Sequence, residues 1–487
     1  MIKFNLLSSI ILMPIWLSGC VSAEEKAVKT PPNILFIYTD DQAPFGMSLT
    51  GNDQLNTPHL DAIGKEGAYF TNFFTPTPVC SPTRATLLTS RYSTETGITD
   101  WINPSWDQVL NGTEPDLGLD SKFTTWVQLL KESGYRTGLV GKWHLGDNED
   151  QRPEVFGYDY FMGFLGGGTA VKDPKLQEGK ETREFKGFTT NILTEEAIQF
   201  IVSDPSKKPF MLSLHYRAPH MPWLPLPTED WEPYQDLSVA FPHPYYPGLD
   251  KERLRKMTRE YYGSISSVDR NVGRILNTLD SLGLDDNTLV IFTSDHGYNL
   301  GHNGIWHKGN GHWIVTDPPA GIKNVPQWQR PNLYDNSIKV PTVVRWPAKI
   351  PGGIVIDESV TVLDWFPTLL AAAGLEVPEN LNIHGRSFLP LLKGKQVEQW
   401  DNKVFGQYST HHQSMTDMRM IRTADWKLVK DFKNPERDEL YNLTLDPEET
   451  NNLFFDPGKD SVKQAMMELL VEKMRKIDDP VLEKVEL

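Results

Sequence analysis

The chain has 487 residues, of which 39% are hydrophobic and 23% charged, a composition typical of a folded globular protein rather than a disordered one. Its formal net charge of −16 argues against a nucleic-acid partner or an anionic membrane surface, because phosphate groups bind clustered Lys and Arg. An anionic substrate would therefore need a few converging cations, or a metal ion, to overcome the field of the whole protein.

An apolar run from Leu6 to Leu17 lies near the amino terminus. The run is shorter than the roughly 20 apolar residues that span a bilayer, so it indicates a signal peptide, assigned to residues 1–20. It ends in Leu17-Ser18-Gly19-Cys20, which resembles the bacterial lipobox. We therefore expect lipidation of Cys20, a tether over residues 21–31, and an exported protein anchored to the membrane in the periplasm or at the cell surface. The alternative is an ordinary signal peptide that is cleaved nearby, with loss of Cys20.

The chain contains only two cysteines, Cys20 and Cys80. If Cys20 is lipidated, Cys80 stands alone in an oxidising compartment, where a thiol is a liability unless it is buried or chemically used. The alternative is a disulfide between the two, which would join a signal-peptide residue to the folded body. Cysteine usage therefore marks Cys80 as a candidate for chemistry.

Beyond the tether, short apolar runs alternate with helical patterns. The runs that predict strands are Asn33–Tyr38, Tyr135–Val140, Pro209–His215 and Thr288–Thr293. The patterns that predict helices are Thr124–Ser133, Asn191–Ser203 and Asp250–Leu282. This alternation predicts an α/β fold whose mostly parallel sheet is covered by helices on both faces, with ligands bound beyond the carboxyl ends of the strands. Two segments without clear periodicity, 150–186 and 221–248, are predicted as long surface loops.

The pattern changes near Ser387, so we place a catalytic domain at 32–386 and a smaller α+β subdomain at 387–487. Short strand candidates in the second region are Lys403–Tyr408, Met418–Thr423 and Trp426–Lys430, followed by a final helix, Ser461–Ile477. We expect this subdomain to pack on the first.

Two acidic clusters follow predicted strands, Thr39-Asp40-Asp41 and Ser294-Asp295-His296-Gly297. Adjacent carboxylates repel one another unless a cation neutralises them, so a hard divalent metal ion is a natural partner. Taken alone, each cluster is also compatible with an ordinary turn or helix cap. A third motif, Cys80-Ser81-Pro82-Thr83-Arg84, precedes a helical stretch, Ala85–Ser90, and a cysteine at a helix amino terminus favours a bound anion. The alternative is a buried structural cysteine.

The third motif matches the Cys-x-Pro-x-Arg core of type I sulfatases, in which the cysteine is oxidised to formylglycine. The other motifs occur in the order found in that family: Asp40-Asp41, Gly141-Lys142-Trp143-His144, Ala218-Pro219-His220, Ser294-Asp295-His296-Gly297 and Lys308. Two carboxyl-terminal stretches resemble the family's smaller subdomain, Asp438-Glu439-Leu440-Tyr441-Asn442-Leu443 and Asp446-Pro447. The resemblance covers about Pro32 to Phe455.

This resemblance implies a fold like that of alkaline phosphatase and a Ca²⁺ site. The ligands implied are Asp40, Asp41, Asp295, His296 and the modified Cys80. Many family members have Asn where His296 stands, and an imidazole is a softer ligand than an amide oxygen, so Mg²⁺ or Mn²⁺ is less excluded than usual. The resemblance also implies a maturation enzyme that converts Cys80 to formylglycine.

Catalytic roles follow from the same resemblance. Formylglycine at position 80, hydrated to a geminal diol, would attack sulfur and form a covalent sulfate adduct that the second hydroxyl later releases. Arg84 and Lys142 would stabilise the diol and the sulfate oxygens, and His144 would accept the proton that releases the adduct. His220 would be the general acid, since an imidazole titrates near neutral pH, and Lys308 would mainly neutralise charge.

The expected activity is hydrolysis of sulfate esters, on a sulfated polysaccharide or its oligosaccharides, from algae (ulvan or carrageenan) or glycosaminoglycans. One alternative is a phosphate or phosphonate monoester hydrolase of the same superfamily, and another is a silent glycan-binding protein. Residues with weaker sequence signals for a site role are His59, His215, His307, His312 and the tryptophans at 101–106, 223 and 231. We expect Trp223 or Trp231 to contact sugar.

Overall fold

The structure, a computed structural model, describes Met1 and residues 31–103, 117–203 and 208–484. The predicted signal peptide, most of the tether, Cys20 and Trp106 lie outside the described residues. Nineteen strands are described, β1 (Asn33–Thr39), β2 (Ala68–Phe70), β3 (Phe73–Phe74), β4 (Arg136–Lys142), β5 (Tyr160–Phe164), β6 (Lys175–Glu178), β7 (Glu181–Glu184), β8 (Phe210–His215), β9 (Thr288–Ser294), β10 (Ile305–Trp306), β11 (Asn310–Trp313), β12 (Gln329–Pro331), β13 (Thr342–Arg345), β14 (Ile354–Ile356), β15 (Val360–Thr361), β16 (Val404–Tyr408), β17 (Met418–Arg422), β18 (Trp426–Asp431) and β19 (Glu439–Asn442).

The α-helices of the described residues range from single turns to a helix of 31 residues. They are α1 (Pro58–Lys65), α2 (Cys80–Thr89), α3 (Ser93–Thr96), α4 (Trp126–Glu132), α5 (Thr189–Val202), α6 (Thr228–Trp231), α7 (Lys251–Ser281), α8 (Asp335–Ile338), α9 (Trp365–Ala372), α10 (Leu389–Leu392) and α11 (Asp460–Lys476). None of these helices is both long enough and apolar enough to cross a membrane.

A ten-stranded sheet forms the centre of the molecule, in the order β14-β2-β13-β9-β1-β8-β4-β5-β6-β7. Its middle strands β9, β1, β8, β4 and β5 are parallel, and antiparallel pairs occur towards both edges. The four strands predicted from apolar runs are neighbours here. Continuous apolar runs are typical of parallel strands that are covered on both faces, and every residue of β1 from Ile34 to Tyr38 is fully buried.

Alternating residues of β1 divide the core into two layers. Ile34, Phe36 and Tyr38 face a layer with α2, α4 and α9, in which the Phe36 and Trp365 rings meet edge to face at 5.3 Å. Leu35 and Ile37 face the opposite layer, which contains α5 and α7. Helices therefore cover both faces of the sheet, which confirms the predicted fold class.

The carboxyl-terminal region forms a four-stranded antiparallel sheet, β16-β17-β18-β19, with α11 packed against it. Leu428 and Leu440 of the sheet contact Met466 and Leu470 of the helix. The described residues from Pro32 onward form one compact unit, and the division at 386/387 stays a prediction.

Two expectations differ from the structure. Segment 150–186 is not simply loop, because it contains β5, β6 and β7, and β5 pairs in parallel with β4. The pairing is close: a Cβ on Gly163 would lie 1.9 Å from the Gly141 carbonyl, so the strand depends on a glycine that sequence periodicity does not register. The helical stretch predicted at Ala85–Ser90 is also longer in the structure: α2 begins at Cys80, the residue expected at a helix amino terminus. Segment 221–248 has only the single turn α6.

Candidate active site at the carboxyl ends of the central strands

The sequence-predicted site residues come from separate segments that meet at one edge of the sheet. Asp40 and Asp41 follow β1, Lys142 ends β4, and Asp295 with His296 follows β9. Because these strands are parallel and close neighbours, their carboxyl ends lie together. Cys80, the first residue of α2, lies against this edge.

The Cys80 thiol is 3% exposed and touches groups from three other segments. Its Sγ lies 3.0 Å from Lys308 Nζ, and 3.4 Å from both Asp40 Oδ1 and His296 Nε2. Burial and Asp40 raise the pKa of the thiol, but Lys142, Lys308 and His296 outweigh them and bring it to about 6. The position is therefore built for an ionised or strongly polarised group.

Three buried carboxylates each meet a buried cation. Lys142 Nζ lies 2.5 Å from Asp40 Oδ2, and Lys308 Nζ lies 2.7 Å from Asp41 Oδ1. Arg84 Nη2 lies 3.0 Å from Asp295 Oδ2.

These cations do not compensate the three acids equally. Burial raises the pKa of Asp40, but Lys142 and other cations outweigh it, so the pKa is held well below its usual range. In contrast, burial and the neighbouring Asp40 raise the pKa of Asp295 to about 6.

Four of the side chains could hold a metal ion together. Ligand atoms of Asp40, Asp41, Cys80 and His296 all lie within 4.8 Å of one another. Asp41 Oδ2 is buried and has no hydrogen-bond partner among the described residues. The fifth predicted ligand, Asp295, lies next to these four residues, but its Oδ1 already accepts two hydrogen bonds. The donors are the backbone N–H groups of Asp41 and His296, at 3.2 and 2.9 Å. Carboxylate oxygens, one imidazole and a polar group at position 80 fit a hard divalent cation.

Two histidines differ in how they are held. His144 has a positive φ of 60°, and its Nε2 donates to the Ile102 carbonyl at 2.9 Å, so its buried Nδ1 is left as an acceptor. Burial and Lys142 hold the pKa of His144 well below its usual value, so the ring is neutral. His220 donates from Nδ1 to the Met221 carbonyl at 2.6 Å, and its side chain is 22% exposed.

Residues with weaker sequence signals are more scattered. His215 Nδ1 hydrogen-bonds the Lys142 carbonyl at 3.0 Å, so it supports the end of β4. His307 and His312 stack at 5.2 Å beside Lys308, while His59 lies on α1 against Gly273.

Trp223 is buried and packs on Tyr261 and Tyr298, a core position that leaves Trp231 as the more accessible of the two predicted sugar contacts. Its indole N–H donates to the Pro219 carbonyl at 2.6 Å. That bond holds the segment next to His220.

A cluster of which the sequence signalled only Trp101 lies against the start of α2. Asp100 Oδ2 lies 3.0 Å from His412 Nδ1, and Trp101 stacks on the His412 ring at 4.3 Å. The backbone N–H of Ile102 donates to Ser81 Oγ at 3.0 Å, which places the segment next to the start of α2. No sequence signal joins positions 100 and 412, since only the packing of the carboxyl-terminal region brings them together.

Comparison with known proteins gives two overlapping family matches. A family model described as Sulfatase matches residues 32–375, and one described as N-sulphoglucosamine sulphohydrolase, C-terminal, matches 327–476. The chain is 27% identical to an N-acetylglucosamine-6-O-sulfatase of Bacteroides thetaiotaomicron, over 95% of this chain and 89% of that protein. It is 26% identical to an ulvan-active sulfatase of Formosa agariphila, over 94% and 84%. The structure of BT4656 with its substrate D-glucosamine-2-N,6-O-disulfate superposes with a TM-score of 0.75 at 25% identity, covering 94% of this chain and 100% of that one.

Proposed function

The chain belongs to the sulfatase family, and from that premise we propose that it removes sulfate from a sulfated polysaccharide or from oligosaccharides derived from one. One observation carries the proposal: Cys80 lies at the start of α2, with Lys308, Asp40 and His296 within 3.4 Å of its sulfur. The substrate class is supported by the relatives, whose names specify an amino-sugar sulfate and ulvan.

Cys80 is the residue that a host maturation enzyme converts to formylglycine in this proposal. The hydrated aldehyde supplies the nucleophile for sulfur and a second hydroxyl that allows the sulfate to leave. The surroundings of Cys80 suit this role, because Lys308 and Lys142 stabilise negative charge at position 80 and thereby lower its pKa. An unmodified thiolate could accept a sulfuryl group but would have no second hydroxyl to release it.

Asp40, Asp41, Asp295 and His296 would hold the divalent cation, with Ca²⁺ preferred over Mg²⁺ and Mn²⁺ for an oxygen-rich set. When bound, the cation would supply positive charge that neutralises sulfate oxygens and lowers the pKa of a nearby hydroxyl. The unpartnered Asp41 Oδ2 is an acceptor already desolvated for this purpose.

Proton transfer is divided between two histidines. His144 accepts a proton at Nδ1, because its Nε2 is already committed to the Ile102 carbonyl. His220 donates to the leaving oxygen, since it is the more exposed of the two, and burial lowers its pKa, which makes its imidazolium a stronger acid. Lys308 does not donate: although burial lowers its pKa, Asp41 and the group at position 80 hold it well above the usual value. Lys308, Lys142 and Arg84 instead neutralise the charge of the sulfate.

The test uses full-length protein purified from a host that matures sulfatases. Free sulfate is measured over a panel of defined sulfated oligosaccharides, and rates are compared on matched aryl sulfate and aryl phosphate esters. We expect sulfate release from at least one carbohydrate and a preference for the aryl sulfate. A preference for aryl phosphate would establish the alternative phosphate or phosphonate monoester hydrolase.

Mass spectrometry of the peptide that contains position 80 tests the installed group. Conversion to formylglycine replaces sulfur by oxygen and removes two hydrogens. An unmodified thiol in active enzyme would overturn the proposed chemistry, and unmodified, inactive protein that still binds a sulfated oligosaccharide would support the silent glycan-binding alternative.

Export with a lipid anchor at Cys20 is also part of the proposal, on the lipobox-like sequence alone. A Cys20→Ala variant is expected to move from the membrane to the soluble fraction of host cells. Retention of the variant in the membrane would contradict the anchor.

A further inference from the structure

A second group of metal-ligating side chains lies apart from the candidate active site. His243 comes from the loop before α7, His302 from the turn after β9, and Glu448 from the turn after β19. Their ligand atoms lie within 4.8 Å of one another, and none of the three belongs to the set around Cys80. Three segments far apart in sequence therefore place two imidazoles and one carboxylate together.

The spacing of these atoms suits a four-coordinate ion. Glu448 Oε2 lies 3.2 Å from His302 Nδ1 and 3.6 Å from His243 Nε2. Tetrahedral Zn²⁺ with bonds of about 2.0–2.1 Å sets its ligand atoms about 3.4 Å apart. The two separations from Glu448 lie on either side of that value, and the two imidazole nitrogens lie within 4.8 Å of each other, so side-chain movements alone can admit the ion.

The two histidines are held in place by their surroundings. His243 is 4% exposed, and its Nδ1 is buried without a hydrogen-bond partner among the described residues. The His302 ring packs on Phe45 at 5.0 Å and on the His243 ring at 5.6 Å.

The Asn303 side chain holds the turn that carries Glu448 next to His302. Asn303, which adjoins His302, donates from Nδ2 to the carbonyls of Glu448 and Glu449 at 2.9 and 3.0 Å. A turn anchored in this way brings the Glu448 carboxylate to His302 whether or not an ion is bound. Preorganised ligands lose little entropy on binding.

A half-buried histidine elsewhere, His384, forms only a simple ion pair and provides the comparison. His384 Nε2 lies 2.8 Å from Glu95 Oε2, against the Tyr92 ring, and the described residues add no second histidine or cysteine there. A single imidazole and carboxylate make a salt bridge, whereas the second imidazole is what turns the same pair into a ligand set.

We propose that His243, His302 and Glu448 form a binding site for a Zn²⁺-like transition-metal ion, which ties the loop before α7 and the carboxyl-terminal sheet to the end of β9. Two imidazoles and a carboxylate favour such an ion over Ca²⁺, which takes oxygen ligands. Three protein ligands leave a fourth position for water. The site does not depend on the proposed sulfatase chemistry.

The test is Zn²⁺ binding by the full chain. Protein is stripped with a chelator, Ca²⁺ is supplied in excess to occupy the acidic set at Asp40 and Asp41, and Zn²⁺ is titrated by calorimetry. Wild type should take up one equivalent of Zn²⁺. Glu448→Gln and His302→Gln should bind at least about tenfold more weakly, since even the loss of outer-shell partners costs 10–100-fold. The matched control His384→Gln, which removes the simple ion pair, should bind like wild type.

Thermal unfolding supplies a second readout. Zn²⁺ should raise the Tm of wild type and of His384→Gln, because the ion binds the folded chain only, and should raise the Tm of Glu448→Gln by a smaller amount at the same Zn²⁺ concentration. Glu448 has a side chain that is 52% exposed, so its amide variant is expected to fold. The proposal is overturned if wild type binds no Zn²⁺, or if Glu448→Gln and His302→Gln bind it as tightly as wild type.

Discussion

Two buried Arg–Asp pairs in this molecule differ in how completely they are satisfied. Arg419 binds Asp479 with two parallel bonds, from Nε at 2.5 Å and Nη2 at 2.9 Å. Its Nη1 donates to the Met418 carbonyl at 2.8 Å. Arg84 makes a single 3.0 Å contact to Asp295, and its Nε has no hydrogen-bond partner among the described residues.

The difference separates a structural pair from a functional one. In the bidentate Arg419–Asp479 pair, all the guanidinium nitrogens have hydrogen-bond partners. These bonds offset the desolvation free energy of the two buried ions, so the pair needs no ligand. The pair at the active site stands among other charges, and Asp295 has its pKa raised to about 6 by burial and by Asp40. A buried nitrogen without a hydrogen-bond partner and a carboxylate whose ionised form is destabilised are features of a site that binds a ligand.

The largest effect should come from Cys80→Ala, which tests whether chemistry can be removed without loss of the fold. We expect kcat/KM to fall by at least about 10⁴-fold, equivalent to about 5.5 kcal/mol of barrier, because the variant has no nucleophile. The Tm should change by only a few degrees, since one sulfur atom is lost from a site at the start of α2. Cys20→Ala is the matched control and should retain activity in solution. An active Cys80→Ala enzyme would contradict the assignment.

Asp479→Asn should break the structural pair and leave the chemistry intact. The substitution leaves the charge of Arg419 buried without compensation, so we expect a loss of about 3–5 kcal/mol of stability. Thermal unfolding and specific activity of the folded fraction measure the two effects. If the loss is below about 1 kcal/mol, the bidentate pair does not have the structural role described.

Asp295→Asn should have the opposite profile. We expect kcat/KM to fall by about 10²–10³-fold, or about 2.7–4 kcal/mol, through loss of a preorganised charge at the reacting group. The free energy of unfolding of this variant, measured in the presence of a chelator, should not fall below that of wild type. Arg84 keeps a second carboxylate, Asp40, at 4.0 Å.

The stability of Asp295→Asn relative to wild type should depend on pH, and the direction follows from the raised pKa of Asp295. The pKa of Asp295 is raised in the folded chain to about 6, by burial first and then by Asp40, and lies above its unfolded value of about 3.9. The folded state therefore binds this proton more tightly, and stability from this group is lost as pH rises towards and through 6. Asp295→Asn should remove that loss, so its Tm in chelator should gain on wild type between about pH 5 and 7. A Tm that falls further behind wild type over this range would contradict the prediction.

His220→Gln should give the smallest effect, and one that depends on the leaving group. With a sugar sulfate, whose leaving alkoxide is poor, we expect kcat to fall by about 10²-fold, because proton donation is lost. With an aryl sulfate that has a good leaving group, the fall should be less than about tenfold. Equal losses on both substrates would show that His220 positions the substrate rather than protonating it.

Sequence reasoning located most of the candidate site because its residues lie where local patterns end. Asp40, Lys142 and Asp295 stand at or just after the ends of buried apolar runs, and such runs become adjacent parallel strands. The strands β5 to β7 were not predicted, since β5 is set by close packing of Gly163 on β4 rather than by hydrophobic alternation. Trp223 is a predicted candidate sugar contact but lies in the core. An indole can stack on a sugar or pack in a core, and the sequence alone does not distinguish the two positions.

By itself, the sequence determined the α/β class, the parallel strands, the helix that begins near Cys80, and the order of the motifs. These follow from hydrophobic periodicity and from short motifs, which act over a few residues. Tertiary structure alone decided that Asp100 meets His412, that His243 and His302 meet Glu448, and which Arg–Asp pair is satisfied. Contacts between positions 60 or more residues apart depend on how whole layers pack, and no local pattern encodes that packing.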